Sequence, residues 1–277
     1  MRIDSHHHFW QYDAAQYPWI GAAMPRLRRD FLPDDLARIV ATSGIDAVIS
    51  VQARQTADET DWLISLAEAN EFVRGVVGWA PLADPSVAHL LERWTQTPWL
   101  KAVRHVVQDE ADGFLHCGAF NRGVESLPLY NLAYDLLIFA RQLPEAIEFV
   151  DRHPDQRFIL DHIAKPTIRA LEFDETWEQD LRDLARRDNV ACKFSGVVTE
   201  VRDGGWTTEL LRPYWDVALE AFGPRRLMFA TDWPVCLLRS EYLQWVEACE
   251  SLAAKLSSSE QRAFWSQTAI DWYRLTP

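Results

Sequence analysis

Short apolar runs alternate with amphipathic stretches from one end of the chain to the other. The runs at 2–8, 47–51, 73–79, 102–107, 136–139, 158–160, 191–194 and 227–230 have the length and composition of buried strands. Between and after them, residues 34–42, 59–68, 85–94, 119–125, 177–186, 209–222, 241–252 and 259–273 read as helices. A further helix opens at Pro144, since proline is favoured at the first helical position. Strands separated by helices predict parallel βα units. Eight such units in this length predict an α/β protein with one domain over 1–277, a closed (β/α)8 TIM barrel. A doubly wound open sheet is the alternative, but no glycine-rich phosphate turn follows the first strand. No linker or low-complexity segment interrupts the pattern.

In such a barrel the chemistry sits at the C-terminal ends of the strands. Those ends supply His6 and His8, Gln52 and Arg54, Arg104 and His105, Asp161 and His162, Lys193 and Ser195, and finally Asp232. Strict alternation along the first strand predicts Asp4, His6 and His8 on one face and His7 on the other. Histidines, a carboxylate and several cations facing one cavity suit hydrolysis of a carbonyl compound. Asp232 would take a proton from water as it attacks. His6, His8 and His162 would orient that water, polarise the carbonyl or ligate a metal. Arg104, Arg54 and Lys193 would stabilise an oxyanion or hold the ligand's hydroxyls. Ser195 sits in Phe-Ser-Gly rather than in a nucleophile elbow, so no covalent nucleophile is expected.

Composition narrows the partners. A net charge of −13 argues against nucleic acid, whose phosphates would be repelled, but not against a sugar-like ligand met by local arginines. No secretory leader and no membrane-length apolar run is seen, and the four cysteines lack paired spacing, which together suggest a reducing cytoplasm. Among thirteen tryptophans, Trp10, Trp79 and Trp233 fall near strand ends, where flat faces could line a sugar pocket.

Three segments carry a resemblance. Asp4-Ser5-His6-His7-His8-Phe9-Trp10 resembles the first-strand signature of the amidohydrolase superfamily. Asp161-His162-Ile163-Ala164-Lys165-Pro166 resembles its sixth-strand histidine segment, and Thr231-Asp232-Trp233-Pro234 its eighth-strand aspartate segment. Val51-Gln52-Ala53, Val76-Val77-Gly78-Trp79 and Val103-Arg104-His105 are similar to the amidohydrolase-2 branch, which contains L-fuconolactonases and L-rhamnonolactonases. The resemblance implies hydrolysis of an aldonolactone, L-fuconolactone first, to its aldonic acid. Two-metal members use a bridging carboxylate, often a carbamylated lysine, on strand four and a histidine on strand five. Lys101 lies before strand four and the fifth run has no histidine, so two metals are not expected. Either no metal is required, or one divalent ion such as zinc sits on His6, His8 and Asp232.

Other readings remain at this stage. A metal-dependent decarboxylase or hydratase would share the fold, and a non-catalytic sugar-binding barrel would use the tryptophans alone. His7, His105 and Cys236 read as structural. Asp232 could merely form a turn, and any one strand-end histidine could be a satisfied core residue. Oligomeric state is open, with a homodimer as the assembly considered.

Overall fold

The predicted alternation of strands and helices is what the computed structural model contains, and it describes residues 1–276. Among them run β1 (Ile3–His7), α1 (Pro33–Ser43), β2 (Ala47–Val51), α2 (Ala57–Ala69), β3 (Val73–Gly78) and α3 (Val87–Trp94). Next come β4 (Leu100–His105), α4 (Gly118–Ser126), β5 (Ala133–Leu136), α5 (Leu143–Arg152), β6 (Phe158–Leu160) and α6 (Glu175–Leu184). The last are β7 (Val190–Phe194), α7 (Thr208–Phe222), β8 (Leu227–Phe229), α8 (Tyr242–Ala253), α9 (Ser258–Arg262) and α10 (Thr268–Tyr273). A π-helical turn over Ala263–Gln267 joins α9 to α10. The eight strands pair in parallel in sequence order.

Backbone bonds from His8 N to Trp233 O (2.7 Å) and from Asp232 N to His6 O (2.8 Å) link the top of β1 to the segment after β8. The ring is thus closed by the backbone of four residues expected in the site, His6, His8, Asp232 and Trp233. This is a (β/α)8 barrel, with chemistry expected at its C-terminal rim.

Two strands depart from expectation in ways that bear on the site. β5 begins three residues earlier than the apolar run suggests, because it contains Asp135, a charge that hides a strand from a hydrophobicity reading. β1 carries a bulge: Asp4 pairs with Val48 and His7 with Ser50, so three steps on β1 match two on β2. The bulge breaks strict alternation. His6 and His8 point into the barrel, whereas Asp4 faces α8, where its carboxylate accepts from Tyr242 OH (3.1 Å) and Thr231 Oγ1 (2.6 Å). Asp4 therefore does not share the face of His6 and His8. It braces Thr231, the neighbour of Asp232.

Two apolar layers hold the ring. The larger lies between strands and helices, and α2, α6 and α7 start on caps from Thr56, Asp174 and Thr207 that accept backbone N–H groups. The smaller fills the barrel interior and includes Ala47, Ala102, Ala133 and Ala191 together with Tyr273 from the last helix and Leu275 just beyond its cap. No helix among the described residues is long and apolar enough to cross a membrane.

Candidate active site

Four side chains meet above β8. Asp232 Oδ1 lies 3.3 Å from His8 Nε2, 3.7 Å from His6 Nε2 and 3.8 Å from His162 Nε2. The two first-strand histidines approach to 3.1 Å through their Nε2 atoms. All four residues are almost wholly buried, with His8 the most exposed at 5%.

Val51 O can only accept, so His8 Nδ1, 2.8 Å away, carries a proton and Nε2 is turned toward Asp232. Arg104 Nη1 lies 3.3 Å from His6 Nε2, while His6 Nδ1 lies 3.1 Å from Lys193 Nζ and 3.3 Å from Asp161 Oδ1. His162 Nδ1 is 2.8 Å from Ser195 Oγ. Imidazole nitrogens converging on a carboxylate oxygen attract a cation or a shared proton.

The local chain is held in an uncommon conformation to aim these groups. His162, Ile163, Ala164 and Lys165 have φ values of 54°, 46°, 60° and 49°, a short left-handed turn after β6. Left-handed helical residues other than glycine cost about 1–2 kcal/mol each, and such strain clusters at functional sites. Asp232 also has a positive φ of 60°. Opposite His162, Gly196 has φ +65°, and a Cβ there would meet His162 Nδ1 at 2.7 Å. Gly196→Ala is therefore expected to lower stability by about 1–3 kcal/mol and to displace the His162 ring. Thermal unfolding and turnover of the same preparation check this; wild-type values for both would refute it.

Beneath the histidines lies a buried ionic network. Arg104 Nη1 donates to Asp161 Oδ2 (2.9 Å), and Arg104 Nη2 to Gln52 O (2.5 Å). Lys193 Nζ lies 2.5 Å from Asp135 Oδ2, 2.9 Å from Asp161 Oδ1 and 3.1 Å from His6 Nδ1. Burial works against ionisation of Asp161, but Lys193, His6 and Arg104 outweigh it and hold the carboxyl well below the usual range. Burial also opposes ionisation of Asp232, yet His162, His8 and Lys165 bring it below its ordinary value. Burial lowers His6 far below 6.5 and His162 to about 4, so both rings are neutral near pH 7. An ionised Asp232 beside the neutral rings of His6 and His162 is the result.

Not every expected residue joins this cluster. Arg54 is held on the loop after β2 by Gln16 and by Glu59 (3.7 Å), and its guanidinium lies over Tyr17. Trp10 and Trp233 are buried at 0% and 1% within an aromatic group that includes Phe31, so they build the wall and offer no free face for stacking. Trp79 alone of the three keeps partial exposure, and its Nε1 donates to His105 Nδ1 at 3.3 Å. Asp135 and the bracing role of Asp161 were missed in the sequence. A lone acid inside an apolar strand was the available signal for Asp135.

The amidohydrolase family profile matches residues 3–275. The chain belongs to the amidohydrolase family. An L-fucono-1,5-lactonase of Burkholderia multivorans is 43% identical over 286 residues, spanning 99% of this chain and 96% of that protein. A second L-fucono-1,5-lactonase, from Burkholderia ambifaria, is 32% identical over 99% of this chain and 96% of its own length. A crystal structure of a Burkholderia multivorans amidohydrolase with bound zinc superposes with a TM-score of 0.94 at 44% identity, covering all of both chains.

The amidohydrolase donor set can be tested for a metal on its own geometry. Four donors around zinc at about 2.0–2.1 Å stand about 3.3 Å apart in a tetrahedron. The His8–Asp232 and His6–Asp232 separations of 3.3 and 3.7 Å and the His6–His8 separation of 3.1 Å fit that spacing. The Nδ1 contacts of His6 and His8 are the second-layer bonds such ligands use. A second grouping, His6, Asp161 and His162, is less suited because Arg104 and Lys193 already claim Asp161. Lys101 lies at the opposite mouth of the barrel, donating to Arg274 O, so it bridges nothing in the site.

Proposed function

We propose that this protein hydrolyses an aldonolactone to its aldonic acid, with L-fucono-1,5-lactone as the first substrate to test. The observation that carries this reading is the Asp232 carboxylate within 3.3–3.8 Å of three imidazole nitrogens, inside a chain 43% identical to an L-fucono-1,5-lactonase.

In this reading Asp232 takes a proton from water as the water oxygen bonds to the lactone carbonyl carbon. His8 and His162, fixed by Val51 O and Ser195, orient that water. The carbonyl oxygen becomes an oxyanion, and the Arg104 guanidinium, beside the cluster, offsets the charge. The ring C–O bond then breaks, and the proton on Asp232 passes to the departing alkoxide. The aldonic acid ionises, so each turnover releases one proton. His6, His8 and Asp232 would hold a divalent metal. When bound, it would polarise the carbonyl and lower the pKa of a water.

A pH-indicator assay over L-fucono-, L-rhamnono-, L-galactono- and D-arabinono-lactones, with and without chelator, tests the reading. Proton release fastest with L-fucono-1,5-lactone is expected. Activity that survives chelation assigns the chemistry to the side chains, and activity that vanishes and returns with zinc assigns a required ion. No release from any lactone overturns the proposal.

A further inference from the structure

Resting on that hydrolytic reading, we propose that Tyr273, on the last helix, is a positioning residue for the catalytic cluster at the other end of the barrel. Barrel interiors are usually filled by bulky branched side chains from the strands themselves. Here the inner layer combines branched strand residues such as Ile49, Val77 and Ile159 with four alanines, Ala47, Ala102, Ala133 and Ala191, and Tyr273 packs among them. Its ring is 1% exposed, and its hydroxyl donates to Asp135 Oδ2 at 2.6 Å.

That oxygen also meets Lys193 Nζ, and the same ammonium lies 5.4 Å from the Tyr273 ring centroid. Asp135 Oδ1 has no partner among the described residues, so Lys193 and Tyr273 together set the carboxylate's orientation. Lys193 in turn contacts Asp161 and His6. Burial and the charge of Asp135 keep the phenol protonated, so it is a permanent donor. One hydroxyl at the barrel floor thereby fixes Asp135, Asp135 fixes Lys193, and Lys193 fixes the acid and the imidazole above it. Without it, the Asp135 carboxylate is free to turn, and Lys193 and His6 lose their fixed positions.

Tyr273→Phe removes only the hydroxyl. It is expected to lower kcat about tenfold with KM changed by less than about twofold, and to shift the ring nitrogen resonances of His6 in 15N-histidine spectra. Leu275→Ala opens a cavity in the same inner layer without touching the ionic chain. It should lower the Tm while leaving kcat and the His6 resonances in place. A folded Tyr273→Phe with wild-type kcat and unmoved His6 resonances overturns the proposal. So does a Leu275→Ala that shows the same kinetic loss. If Tyr273→Phe does not fold, Asp135→Asn, which keeps the side-chain volume, gives the same two readouts and decides in the same way. If the wild-type protein hydrolyses no lactone, the functional reading fails separately, and the histidine resonances still judge the positioning role.

Discussion

Asp232→Asn is expected to reduce turnover by about three orders of magnitude while the barrel stays folded. The amide has nearly the shape of the carboxylate but cannot accept the proton that water gives up on attack. It also suits the backbone: Asp232 has φ 60°, a conformation that asparagine, like aspartate, tolerates better than most non-glycine residues. The closure bond from the backbone N–H of residue 232 to His6 O does not involve the side chain, so it survives. Asp232→Ala would confuse two effects, since it removes the base and also strains a left-handed position. Steady-state turnover, circular dichroism and thermal unfolding on one preparation provide the check. A kcat within about tenfold of wild type, in a folded variant, would sink the general-base role.

The barrel was legible because its signals are local. Short apolar runs recur eight times with amphipathic stretches between them, and each is read within a few turns of chain. His6, His8, His162 and Asp232 were legible for the same reason, as polar residues at the ends of those runs. The errors arise where distant residues decide. The bulge that turns Asp4 toward α8 is set by pairing with β2 and by Tyr242, which lies 238 residues away. Asp135 looks foreign to a strand until Lys193, 58 residues later, neutralises it. Trp10 and Trp233 look like free stacking faces by position, yet Phe31 and their aromatic neighbours enclose them. Tyr273 carries no sequence signal at all, because its meaning lies in a bond to a residue 138 positions earlier.

Lys193→Met tests how far the site depends on that hidden network. The substitution keeps the apolar stem and removes the ammonium, leaving Asp135 and Asp161 fully buried with Arg104 as the nearby cation. Breaking a buried pair on one side costs about 3–5 kcal/mol, because the remaining charge has no water to return to. In a chain of this size that corresponds to a Tm lower by roughly 10 °C. The loss should depend on pH in a defined direction. Burial raises Asp135 from 3.8 to about 6 even with Lys193 pulling the other way, so without Lys193 its folded-state value rises further. A carboxyl that binds its proton more tightly when folded favours the folded state at low pH. The variant's deficit should therefore be smallest below about pH 4 and grow as pH rises through 6 and beyond. Adding Asp135→Asn removes the stranded charge and should recover about half of the lost stability, as coupled sites do. Urea unfolding of the single and double variants at pH 5 and pH 8 measures all three effects. A deficit that is the same at both pH values, or additive losses in the double variant, would mean that Lys193 acts by packing alone.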